Sequence, residues 1–244
     1  MASDTTTTML HAYEEGRAAS PGERGLILLG IAAPEMTAAA RAALPVGRRD
    51  AALLDLHERL FGEQAEALAD CPRCGEKLET DVPLAAIRAP PVDAATRFAL
   101  RVEAQEIAYR LPNAGDLAAL GADAGLGDEA AATRALARRC IFAAEDGEAL
   151  SDEAEAALAE AIANAVTATD PQAEVVLEFD CPACGCHWAA PFDIVVFLWC
   201  RLEGLVSALL REVHIIASHY SWSECDILAL SPFRRRRYLE LIGR

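Results

Sequence analysis

The residues of this chain best suited to chemistry are cysteines in a repeated spacing. Cys71-Pro72-Arg73-Cys74-Gly75 and Cys181-Pro182-Ala183-Cys184-Gly185 are two C-x2-C segments, more than one hundred residues apart, each preceded by Asp (Asp70 and Asp180). Two cysteines three apart in a tight turn aim both thiolates at one point, and backbone N–H groups of the turn can hydrogen-bond the sulfurs. Pro after the first Cys fixes φ, and Gly after the second permits the reversal that starts a return strand. Two such turns supply the four thiolates of a tetrahedral S4 site, a donor set that suits Zn2+ and, less often, iron. The spacing therefore predicts a single structural zinc held by Cys71, Cys74, Cys181 and Cys184. Four thiolates leave no coordination position open to water or substrate. Cys186 and His187, just beyond the second pair, offer an alternative in which one of them joins Cys71, Cys74 and Cys181. Two independent redox pairs are the other reading, but neither segment follows a strand and opens a helix as thioredoxin-type sites do.

The energetics permit such a long-range clasp. Closing a loop of about 106 residues rather than about 15 costs only roughly 2 kcal/mol more. Structural zinc returns apparent binding energies of about 10–16 kcal/mol in small peptides.

Little else in the sequence assembles a reaction centre. Walker, Gly-x-Gly-x-x-Gly, Gly-x-Ser-x-Gly and His-Glu-x-x-His patterns are all missing. His214 and His219 are five apart, about 140° around a helix, and do not converge. His57 is expected at a helix boundary or surface, and Cys140, Cys200 and Cys225 as small buried hydrophobes. The acidic residues of the middle region suit a solvated helical face better than an acid/base pair. These signs point to a protein without enzymatic activity.

The elements that must position the cysteines follow from periodicity and punctuation. Residues 1–63 read as an N-terminal helical region. One helix there opens at Ser20-Pro21, with Ser as N-cap and Pro in the first turn, and another spans about Arg48–Phe61. Residues 64–84 and 172–192 read as strand, turn, strand, twice, forming one split zinc ribbon. The insertion at 85–171 opens with Ala89-Pro90-Pro91. A small hairpin (about Arg97–Glu103 and Glu106–Leu111) comes next, then a short helix from Asp116 and helices over about Asp128–Ala143 and Ser151–Thr167, the last capped at Ser151. Residues 193–244 form a C-terminal helical region. Asp193 caps a helix running to about Ser218, whose Ile194, Leu198, Leu202, Leu205, Leu209, Val213 and Ile216 share one sector, widened by Trp199, Val206 and Leu210. Two shorter helices follow, Ser223–Leu230 and Pro232–Ile242, the latter carrying Arg234, Arg235, Arg236 and Arg237. The fold class is α+β and mainly helical, with a mixed insertion between the two knuckle hairpins.

Charge and composition narrow the classes further. The chain has 244 residues, 22 Lys+Arg against 38 Asp+Glu and a net charge of −16, so a polyanion is not a natural non-specific ligand. Its longest apolar run near the C-terminus, Ile194–Cys200, is far short of the ~20 residues a membrane helix needs. Met1–Met9 is polar and Thr-rich, unlike a secretory signal. A cytoplasmic chain, with cysteines used for metal rather than disulfides, is expected. The arginine run, with Trp222 and Tyr238 beside it, reads as a solubilising helix end or as a docking patch for an acidic partner. Its weaker third reading is contact with nucleic acid.

Several segments carry a family resemblance. These are Arg110-Leu111-Pro112, Asp116–Leu120, Asp170–Ala173, the second cysteine pair with Trp188, Phe192–Ile194 and Phe197–Trp199. They continue with Leu210–His214, Tyr220-Ser221-Trp222-Ser223-Glu224, Ile227–Pro232 and Arg235–Leu239. Together they resemble the baseplate (hub-associated) proteins of contractile phage tails and of phage-tail-like injection particles. The resemblance spans roughly residues 97–244 and, more loosely, the first cysteine pair. It departs from the family pattern at Ser221, where Gly is expected, and at Cys186, where His is expected. It implies a structural or assembly role at a tail tip, with other baseplate or hub proteins as partners, in a particle assembled in the cytoplasm. An assembly chaperone for hub proteins and a zinc-ribbon nucleic-acid module are the alternatives.

Overall fold

The computed structural model describes residues 2–90, 92, 97–102, 105–121, 129–142 and 152–243. In chain order its elements are α1 (Ala2–Gly16), α2 (Pro21–Ala32), α3 (Ala38–Ala42), α4 (Val46–Phe61), β1 (Gln64–Asp70), β2 (Lys77–Pro83) and α5 (Leu84–Ile87). Then come β3 (Phe98–Val102), β4 (Gln105–Tyr109), α6 (Ala114–Gly121), α7 (Glu129–Cys140), α8 (Asp152–Thr169) and a 3-10 turn (Pro171–Ala173). The chain continues through β5 (Val175–Asp180), β6 (His187–Phe192), α9 (Ile194–Tyr220), α10 (Glu224–Leu228) and α11 (Pro232–Ile242). It is mainly helical with small sheets. The chain divides into two compact units, Ser20–Val195 and a second built from Met1–Ala19 with Val196–Arg244.

In the Ser20–Val195 unit, α2 begins with a complete capping box: the Ser20 hydroxyl accepts from the Glu23 N–H and the Glu23 carboxylate from the Ser20 N–H. The first turn of α2 lies so close to α6 that a Cβ at Gly22 would stand 2.3 Å from the Leu117 carbonyl oxygen. Leu28 and Leu29 of α2 and Leu53, Leu54 and Leu56 of α4 are fully or almost fully buried. His57 is buried as well, with 0% of its surface exposed and its ring 5.3 Å from Phe61. The expectation of a boundary or surface position is corrected: His57 lies three and four residues beyond Leu54 and Leu53, on the inward stripe of α4.

Three separate two-stranded antiparallel sheets make up the β structure: β1–β2, β3–β4 and β5–β6. The two cysteine-bearing hairpins do not join through strand pairing among the described residues. Alternation in β3–β4 turns Leu100, Val102 and Ile107 onto a cluster of Ala137, Leu158, Ala159 and Ile162 from α7 and α8. The expected helix starts at Asp128 and Ser151, the helix end at Ala143, the strand end at Glu103 and the residue Pro91 lie outside the described residues.

In the other unit, Val213, Ile216 and Ile227 form the centre of a cluster that Tyr220, Trp222, Tyr238, Leu239 and Ile242 complete. Tyr13 of α1 stacks on Trp199 at 5.9 Å. The apolar sector read from the sequence is buried at Leu198, Leu202, Leu209, Val213 and Ile216, but Leu210 is exposed. Cys140 is buried, whereas Cys200 and Cys225 are exposed, which corrects their expected burial. Each stands two residues, about 200° of helix, from a buried neighbour, Leu198 and Ile227 respectively. Among the described residues no helix is long and apolar enough to cross a membrane.

Candidate metal centre

Each cysteine pair sits at the tip of a hairpin whose register is closed by one last cross-strand pair, Asp70 opposite Lys77 and Asp180 opposite His187. The two tips repeat the same hydrogen bonds. The Cys71 N–H donates to the Glu76 carbonyl at 2.8 Å and the Gly75 N–H to the Cys71 carbonyl at 2.9 Å. The Cys181 N–H donates to the Cys186 carbonyl at 2.9 Å and the Gly185 N–H to the Cys181 carbonyl at 2.9 Å. Both glycines have positive φ, +74° and +65°, which is the reversal that excludes a side chain at low cost.

The two tips bring all four sulfurs to one point. Sγ of Cys71 stands 3.7 Å from that of Cys184, and Sγ of Cys74 stands 3.6 Å from that of Cys181. All four ligand atoms lie within 4.8 Å of one another. The first cysteine of each turn faces the second of the other, so the arrangement crosses between hairpins. These separations far exceed the ~2.05 Å of a disulfide, and the cysteines are free. The group could hold a metal ion.

The thiols of Cys184 and Cys74, one from each turn, are shifted in opposite directions. Arg73 reaches from the first turn to the second, donating through Nε to Cys184 Sγ at 3.4 Å and through its terminal nitrogen to the Cys184 carbonyl. That guanidinium pulls the Cys184 thiol down to about 6. At Cys74 the Glu76 N–H likewise pulls the thiol down, but hydrogen bonding with Cys184, burial and hydrogen bonding with Cys181 outweigh it and push the thiol up to about 12. Crowded thiols resist shedding all their protons without a positive charge among them.

Cys186 and His187 stand outside the cluster. The Cys186 thiol lies 3.8 Å from the His187 carbonyl, and His187 Nδ1 is 3.1 Å from an Asp180 carboxylate oxygen.

The arginine run is divided by helix geometry. Four consecutive residues sweep about 300° of α11, so they cannot share a face. Arg235 is buried, with Nε 2.9 Å from Glu212 and a terminal nitrogen 2.8 Å from the Leu230 carbonyl. Arg237 pairs with Glu240. Arg234 and Arg236 are exposed. Trp222 and Tyr238 are half-buried against each other, ring centroids 4.9 Å apart.

In the sequence Asp170, Gln172, Arg110 and Asp116 stand out only within the segments of the family resemblance, and the contacts they make went unforeseen. The Asp170 carboxylate accepts from the Gly47 N–H at the start of α4. Gln172 accepts from the Ala89 N–H at 2.7 Å and donates to the Ile87 carbonyl at 3.2 Å. Arg110 grips Asp116 with two bonds, 2.6 and 3.0 Å, and donates to the Arg139 carbonyl, joining the start of α6 to the end of α7. The available signal was a buried-type polar pattern, Asp-Pro-Gln directly after a helix.

A cleft of ≈ 420 Å³ opens beside Val46, Leu136, Ile162 and Phe192, walled by the buried pair Arg49–Asp50 at 2.7 Å. Burial pushes the Asp50 carboxyl up to about 6 against the pull of Arg49.

Residues 32–199 match the family model described as T4 bacteriophage base plate protein. The matched span contains both cysteine turns and the Asp170–Ala173 segment, and stops before Tyr220–Pro232. No curated protein and no solved structure matches the chain.

Proposed function

The chain belongs to the T4 bacteriophage base plate protein family, and from that premise we propose that it is a non-enzymatic structural or assembly component of the baseplate of a contractile, phage-tail-like particle. The observation that carries the reading is the family match across more than two thirds of the chain, both cysteine turns included. Assembly in the cytoplasm, with other baseplate or hub proteins as partners, follows from this reading. Residues 64–84 and 172–192 act in it as one split module, and the exposed arginines of α11 as part of its docking surface.

Within that role the tetrathiolate centre is a staple holding one zinc ion. Zn–S bonds of ~2.3 Å in a regular tetrahedron put sulfurs about 3.8 Å apart. The separations of 3.7 and 3.6 Å across the two hairpins support this assignment. Zinc suits a closed S4 set because it has no redox chemistry to perform and no geometric demand beyond four soft donors.

Two measurements test the proposal. Metal analysis of the purified chain is expected to give one zinc per molecule, and Cys71→Ser to remove it; a metal-free wild-type chain overturns the staple. Sedimentation of intact particles is expected to carry the chain down with sheath and tube proteins. Recovery in cell extract but not in particles favours an assembly chaperone instead, and a salt-dependent shift with DNA or RNA favours a nucleic-acid module.

A further inference from the structure

Helix α11 turns its Arg235, Tyr238, Leu239 and Ile242 side inward. On the opposite side, Phe233, Arg237 and Leu241 follow one another at i, i+4 and i+8, with Arg237 paired to Glu240 and with Arg234 and Arg236 flanking them as the exposed cations. Phe233 is 73% exposed and Leu241 55% exposed. A phenylalanine at the outermost point of a helix, among three arginines, contributes nothing to the interior it faces away from. Aromatic and arginine side chains are the residue types that dominate binding hot spots.

The first cysteine hairpin presents the counterpart. Alternation places Gln64, Glu66, Leu68 and Asp70 of β1 on one face with Lys77, Glu79, Asp81 and Pro83 of β2, and all eight are exposed. Leu68 sits near the middle of this face, 77% exposed and directly opposite Glu79. Glu66 stands opposite Asp81, two carboxylates that add to the acidity of this face. The corresponding face of the second hairpin, with Val176, Glu178, Asp180, His187, Ala189 and Pro191, is less acidic. One surface is therefore apolar at its centre and basic around it, and the other is apolar at its centre and acidic around it.

We infer that the occupant of each surface is a second copy of this chain, the α11 ridge of one copy docking on the β1–β2 face of the next. The two surfaces complement each other in sign and in their apolar centres, and on a chain of net charge −16 the basic ridge meets an acidic surface on every copy. Such contact is heterologous: each copy keeps an unused ridge or face for another neighbour, so the association closes into a ring or continues as a filament. The inference rests on the reading of the chain as an assembly component and is independent of the metal.

Sedimentation velocity of the full-length chain over a wide concentration range, at low and high salt, tests it. Self-association that strengthens with concentration and weakens with salt is expected. R234E/R236E and E79K/D81K, all at exposed positions, are each expected to weaken it roughly tenfold or more. An equimolar mixture of the two variants is expected to associate again, because the reversed ridge now meets the reversed hairpin. F233A should weaken association without changing the salt dependence. A chain that stays monomeric throughout, or two variants that associate as the wild type does, overturns the inference. A monomer that still co-sediments with particles does so while leaving the assembly reading intact.

Discussion

The Asp170 carboxylate receives the N–H of Gly47 at 2.9 Å, a bond between residues 123 positions apart in the chain. It caps α4, whose own N-cap residue, Pro45, has no side-chain hydrogen bond to offer. Both partners are buried, and the approach leaves no space: a Cβ on Gly47 would stand 1.9 Å from Asp170 Oδ1.

Gly47→Ala is therefore expected to destabilise the protein by about 2–4 kcal/mol, combining a lost cap with overpacking. Asp170→Asn retains an acceptor oxygen and should cost less, about 1 kcal/mol. Urea denaturation of the two variants checks the order. Equal costs would remove the steric part of the explanation.

Arg73 spans the two cysteine turns through Cys184. On the zinc staple proposed above, Arg73→Gln is expected to leave the metal content unchanged but to weaken metal retention against a chelator by about 10–100-fold, the usual effect of losing a hydrogen bond to a ligand. Competition with a chromophoric chelator measures this directly. Retention equal to the wild type would reduce Arg73 to a surface residue.

Asp50 gives the stability a pH dependence of definite sign. Its carboxyl is raised from 3.8 to about 6, by burial first, with Arg49 opposing and Asp193 and Asp170 reinforcing. The folded state thus binds the proton more tightly than the unfolded chain. The associated stability is complete below the unfolded value and is lost as pH rises toward 6, by up to about 3 kcal/mol, with no further change above. Asp50→Asn should flatten the profile in that window relative to wild type. Parallel profiles from pH 4 to pH 7 would contradict the assignment.

Ser221 has φ +56°, the left-handed region, immediately after α9. Its N–H donates to the Ala217 carbonyl at 2.8 Å, closing the helix end in the manner normally given to glycine. Ser221→Gly should stabilise the chain by about 0.5–1 kcal/mol, since a side chain there costs more than the extra freedom of glycine. A lower melting temperature in the variant would count against it.

Local signals in the sequence marked most of this architecture. The twice-written Asp-Cys-Pro-x-Cys-Gly located both hairpin tips, because a turn with two thiolates and a left-handed glycine needs those residues in that order. Ser20-Pro21 and Ser223 marked helix starts, and each serine caps its helix. What escaped was set by contacts distant in sequence. His57 has a polar ring and Arg235 a guanidinium, so residue type alone puts both outside; the packed stripe of α4 and the carboxylate of Glu212 hold them inside. Asp170 could not be recognised as a cap when the helix it caps begins more than one hundred residues earlier.

The crossing of the four sulfurs between hairpins also orders events during synthesis. A nascent polypeptide still short of residue 184 exposes no more than three donors, two of them from the first tip, and the intervening helices must already be made before the rest arrive. If the centre is the metal staple proposed above, ion capture falls late in biogenesis, and a prematurely terminated product lacks the means to lock itself.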